Sequence, residues 1–121
     1  MSDKTPNDAL PAGLPISREL KKDATSLVHL GVRAAGWPRA KALEVVSALE
    51  GTDWAILGGV VMVLRDGLYT RKYDNWSSDR RSDETCSDFA KRSHHETHSY
   101  IEHYPEGDSV VSYMLLFKHC T

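Results

Sequence analysis

Two periods divide the chain. Between Ser17 and Gly51 apolar residues recur every three or four positions, whereas between Trp54 and Leu68 they come in short continuous runs rich in β-branched residues. The first pattern belongs to helices buried on one face, the second to strands. Ser17 stands where an N-cap would, Glu19 falls in the first turn, and Leu20, Ala24, Leu27 and Val28 follow at helical spacing before Gly31, a C-cap residue. Pro38 suits the first turn of a second helix, with Ala42, Val45, Val46 and Leu49 on one face and Gly51 closing it. Beyond Asp53, Trp54–Leu57 and Val60–Leu64 flank Gly58-Gly59 and predict two strands or one bent strand. Asp66-Gly67 is the pair that a two-residue type I′ turn prefers, so a hairpin joins this strand to the one starting at Leu68.

The polar stretch Trp76–Ser87 reads as a loop, with Ser82-Asp83-Glu84 suited to the start of a third helix over roughly 84–104. On a helical wheel Cys86, Phe89, Ser93, Thr97, Tyr100 and Tyr104 share one side. Lys91, His95, His98 and Glu102 lie opposite, so the histidines are expected to face water. Pro105 breaks the helix, and Val110–Phe117 reads as a long final strand. The element order predicts an α+β domain: an antiparallel sheet of about four strands, two N-terminal helices and one long helix before the last strand.

Composition refines this picture. The chain has 121 residues, enough for one core, and three of its five prolines fall in residues 1–15, read as a flexible leader before a single domain over 16–121. Formal net charge is -2, too balanced for a dedicated nucleic-acid binder. The balance is uneven along the chain: seven basic and six acidic side chains lie before Asp53, eight and eleven from there on. Nothing approaches 18 consecutive apolar residues, and the N-terminus lacks the basic start and apolar run of a signal peptide. Cys86 and Cys120 match no metal or redox spacing. A reduced, cytoplasmic protein without a membrane partner is the expectation, with whether the two cysteines pair, and the oligomeric state, left open.

Candidate chemistry is sparse. No cofactor fingerprint occurs: Gly58-Gly59 lacks the frame of a phosphate-cradling loop and reads as a strand bend. Cys86 with His94 has no third, orienting group, so no catalytic residue is expected. His94, His95, His98 and Glu102 offer a metal alternative, since His95, His98 and Glu102 recur at i, i+3, i+7; a solvated helix face accounts for them better. Tyr73-Asp74-Asn75-Trp76 mixes aromatic anchors with hydrogen-bonding groups just beyond a hairpin strand, and Asp79, Asp83 and Glu84 continue its acidic character. Such mixtures suit recognition of a cationic protein surface, or alternatively pack the sheet edge.

Leu30-Gly31-Val32, Ala42-Leu43-Glu44, Ile56-Leu57-Gly58-Gly59, Tyr73-Asp74-Asn75-Trp76, Ser93 and Tyr100-Ile101-Glu102-His103-Tyr104-Pro105 occur in an order that resembles the bacterial immunity protein 40 family, over about residues 27–117. The resemblance implies a small α+β protein, encoded beside a polymorphic or contact-dependent toxin, that neutralises the toxin in the cytoplasm by binding and not by catalysis. One position departs: the family pattern has an acid after the glycine pair where this chain has Val60, and no role is transferred there. With the resemblance, Tyr73, Asp74, Asn75, Trp76, Asp79, Asp83 and Glu84 become candidates for binding a basic toxin surface, such as the substrate channel of a nuclease. The rival classes are a small metal-binding protein or enzyme on the histidine helix and a non-catalytic adaptor subunit.

Overall fold

A computed structural model describes residues 10–26 and 35–120. The elements run α1 (Arg18–Asp23), β1 (Thr25–Ser26), β2 (Ala35–Trp37), α2 (Arg39–Leu49), β3 (Trp54–Arg65), β4 (Leu68–Ser77), α3 (Cys86–His103) and β5 (Val111–His119). The strands form one five-stranded sheet in the order β1-β2-β5-β3-β4, with every pairing antiparallel. An α+β fold with an antiparallel sheet is therefore correct, with five strands where about four were expected.

Helices cover one face of the sheet. Val61 and Val63 of β3 and Tyr113 and Leu115 of β5 meet Ala42, Val45, Val46 and Leu49 of α2 and Ile101 of α3 in the main core. The four α2 residues are those that the helical spacing selects, and all are essentially inaccessible. Alternation along β3 and β5 sends Met62 and Met114 to the other face, where Val60 and Tyr69 pack against them. Leu14 and Ile16 are also core residues, so packing begins before residue 16, inside the stretch read as leader.

The hairpin forms as Asp66-Gly67 dictates. Both residues have positive φ, 52° and 82°, as a type I′ turn requires. Trp54–Arg65 is the single bent strand, irregular in its pairing with β5 between Ile56 and Gly58. Ser17 caps α1 by accepting a hydrogen bond from the Leu20 amide at 3.1 Å.

Three expectations are corrected. The first helix stops at Asp23 and the chain turns extended at Ala24; Leu27, Val28 and Gly31 lie outside the described residues. Six residues make a marginal helix, and the Trp37 indole N–H donates to the Leu20 carbonyl at 2.7 Å, satisfying an acceptor of the last turn while β1 pairs with β2. Secondly, β4 continues to Ser77, so Tyr73–Trp76 lie within a strand rather than beyond one. Thirdly, α3 begins at Cys86 under a Thr85 cap, whose hydroxyl accepts from the Asp88 amide at 3.1 Å; Ser82 and Asp83 remain in the loop.

Cys86 and Cys120, whose pairing the spacing left open, form a disulfide with Cα atoms 5.5 Å apart, which corrects the expectation of a reduced protein: the fold brings together two thiols 34 positions apart. It ties the start of α3 to the end of β5.

Candidate functional site

The richest polar chemistry lies where β4 runs alongside α3. Tyr104 donates its hydroxyl to Asp74 Oδ2 at 2.5 Å. The Trp76 ring N–H donates to Thr97 Oγ1 at 3.0 Å, and its indole stacks on Tyr100 with centroids 4.4 Å apart. Ser78 donates to Glu96 Oε1 at 2.6 Å, and Arg92 donates to the Asp79 carbonyl at 2.6 Å. As the chain advances from Asp74 to Asp79, its partners recede from Tyr104 to Arg92, a span of about 18 Å along a helix. The result is a strip, closed at its far end by Arg92, which grips both carboxylate oxygens of Glu84 at 2.8 Å.

Two local devices make this alignment possible. The β3–β4 register shifts between Val60 and Met62, which face Asn75 and Arg71, so residues 72–74 bulge opposite Val61. The bulge lets Lys72 and Asp74 both address Tyr104: Lys72 Nζ sits 5.3 Å from the ring centre while Asp74 holds the hydroxyl. The second device is the glycine pair. Gly59 pairs with Trp76, and a Cβ there would collide with the indole and with the Met114 carbonyl. Gly58 has φ of 147°, and a Cβ on it would strike the Trp76 carbonyl. The Gly-Gly and Asp-Asn-Trp motifs are thus two halves of one contact.

Beyond Tyr104 the network continues. Tyr113 donates to Glu106 Oε2 at 2.6 Å, and Arg39 of α2 lies 3.6 Å from the same oxygen and donates to the Ile101 and Tyr104 carbonyls. Burial and the neighbouring carboxylates push the tyrosines up: Tyr104 from 10.0 to about 12, chiefly by burial and then by its bond to Asp74. Tyr113 rises for the same reasons with Glu106 as partner, and Tyr100 by burial. At the other end the Arg92 hydrogen bonds hold the Glu84 carboxyl down at about 2.

The candidate residues divide along this strip. Asp74 and Trp76 turn toward α3, with Asp74 exposed and Trp76 half-buried, while Asn75 faces Val60 across the sheet. Tyr73 contributes its backbone to β4, and its side chain lies outside the described residues. Asp79 and Asp83 are exposed on the loop between β4 and α3. Glu84 is different, because its side chain is only 10% exposed and committed to Arg92. Tyr104, Glu106, Arg39, Arg92 and Glu96 were missed as site residues. Of these only Tyr104 was signalled in sequence, by its wheel position beside Thr97 and by the Tyr100–Pro105 motif.

The histidines occupy the other flank of α3. A cleft of about 510 Å³ is lined by Glu50, Thr52, Ser87, Lys91 and the three residues His94, His95 and His98. His94 does not face water: it is 5% exposed, with Nε2 2.6 Å from the Trp54 carbonyl oxygen. Glu102 is not part of the lining. Among the described residues no group of three or more His, Cys, Asp or Glu side chains is placed to hold a metal ion. Nor is any helix among them long and apolar enough to cross a membrane.

The described residues thus form a small α+β domain with an aromatic and acidic strip pre-formed on one flank. Residues 26–117 match the family model described as Immunity protein 40, and the chain belongs to that family. It is accordingly an immunity protein, and the family implies a cognate toxin as partner. No curated protein and no solved structure was found to match the chain.

Proposed function

We propose that this protein neutralises its toxin in the cytoplasm by binding rather than by catalysis, using the flank where β4 and the loop after it lie along α3. The observation that carries the reading is the pre-formed strip. Tyr104 fixes Asp74, Tyr100 and Thr97 fix Trp76, and the exposed Asp79 and Asp83 follow on a loop whose ends are bonded down. Side chains already ordered in the free protein lose little entropy on binding, and carboxylates beside an aromatic anchor complement a basic surface. A nuclease toxin presents such a surface where it binds its substrate's phosphates.

The test is association with the C-terminal region of the toxin encoded by the neighbouring gene. Asp74→Lys, Asp79→Lys and Asp83→Lys change exposed positions and are expected to weaken binding by about tenfold each, close to 1.4 kcal/mol. The association rate is expected to fall steeply with added salt. Native affinity in the triple variant sinks the proposed surface; failure of the native chain to bind or protect sinks the toxin assignment itself.

A further inference from the structure

The cysteine pair has surroundings that a passive staple does not need. Cys86 is the first residue of the 18-residue helix α3, where the positive end of the helix dipole favours negative charge. Cys120 is 6% exposed, and the Arg80 guanidinium reaches its sulfur, with Nη1 3.8 Å from Sγ. Arg80 also donates through Nε to the Glu84 carbonyl at 3.0 Å, so it clamps its own loop onto the cysteine it faces. The Cys120 amide in turn donates to the Asp53 carbonyl at 2.8 Å, and the Ser78 amide to that of Leu57 at 2.9 Å. The loop 79–85 is therefore held at its start by the Ser78 amide and by Arg92 on the Asp79 carbonyl, and toward its end by the Glu84–Arg92 pair and the disulfide, of which only the last responds to a reductant.

We infer that Cys86 and Cys120 form a thiol–disulfide exchange site, reduced and reoxidised by small or protein dithiols, whose state sets how firmly the loop 79–85 is held. The inference stands apart from the toxin reading, since it concerns the free protein. A thiolate of the dithiol attacks Cys86 Sγ, because Cys86 is the less buried residue of the pair. A bond forms between them, the bond between Cys86 and Cys120 breaks, and Cys120 departs with the electron pair as a thiolate beside Arg80. The dithiol's second thiolate then attacks its own sulfur in the mixed disulfide, closing the reductant's disulfide and releasing Cys86 as a thiolate at the helix N-terminus. The reductant loses two electrons and two protons, and the cysteine pair gains them. Arg80 lowers the cost of the first leaving group, which is a reason for a cation at this place.

Three measurements on the full chain test this. Oxidation with glutathione disulfide is expected to protect both thiols from alkylation and to lower the intact mass by two hydrogens, reversibly with dithiothreitol; thiols that remain alkylatable overturn the proposal. Arg80→Gln is expected to slow reduction by dithiothreitol several-fold and Arg80→Lys, which keeps the charge, to restore most of the rate. A wild-type rate in Arg80→Gln assigns the arginine to structure alone and overturns the exchange site. Finally, trypsin is expected to cut after Arg80 and Arg81 about tenfold faster in the reduced protein, with cleavage after Arg65 and Arg71 in the hairpin as the internal reference. Equal acceleration at all four positions means that reduction loosens the whole fold, and overturns control of the loop.

Discussion

Gly59 shows how much one missing Cβ decides. Trp76 can lie against the sheet and stack on Tyr100 only because nothing projects from the strand beneath it. Gly59→Ala is expected to destabilise the protein by about 1–3 kcal/mol, the usual cost of forcing extra volume into a packed site. Denaturant unfolding followed by Trp fluorescence measures it, and an unchanged midpoint would show that the indole has room to move. At this scale the sequence was only partly legible. Gly58-Gly59 read correctly as a strand bend, yet its service to Trp76, 17 positions later in the chain, depends on the β3–β4 register. His94 was read with the solvated histidine face although the wheel placed only His95 and His98 there; its burial follows from the Trp54 carbonyl on a neighbouring strand, which no single helix reveals.

Elements were legible where local chemistry and long-range packing agree. α2, the Asp66-Gly67 hairpin and the buried face of α3 were read from period and turn chemistry, and each is confirmed by its burial or backbone angles. α1 failed because its end is set by β2, whose Trp37 caps it from outside its own segment. The start of α3 was misplaced because Ser82, Asp83 and Thr85 are all competent caps, and geometry selected Thr85. Thr85→Ala is expected to cost about 1 kcal/mol in stability, measured by chemical denaturation, whereas Ser82→Ala is expected to cost nothing measurable. Equal losses from the two would mean that α3 starts earlier than described.

At the scale of the molecule, the tyrosines join elements that a sequence keeps apart: Tyr100 and Tyr104 from the end of α3, Asp74 from β4, Tyr113 from β5 and Glu106 from the loop between. Their raised pKa values give the fold an alkaline limit. A phenol that ionises less readily when folded stabilises the fold fully below its ordinary value of 10.0, and that contribution disappears as pH rises through about 12, the value for Tyr104. Stability is therefore expected to fall between pH 10.0 and about 12, with the tyrosinate absorbance of Tyr100, Tyr104 and Tyr113 appearing late and together with unfolding. Normal titration of Tyr100, Tyr104 and Tyr113 in a folded protein would contradict the network.

By itself the sequence determined the class of fold, the better-capped elements, the apolar faces and the family, because these rest on local periodicity and on residue types at short spacing. Tertiary structure alone decided that Asp74 and Trp76 belong with Tyr100 and Tyr104, that Glu84 is spent on Arg92, and that the two cysteines meet. The reason is physical: each of these contacts joins residues from different elements, and its existence is set by sheet register and helix placement. Those are fixed by the core as a whole, not by any segment that contributes to it.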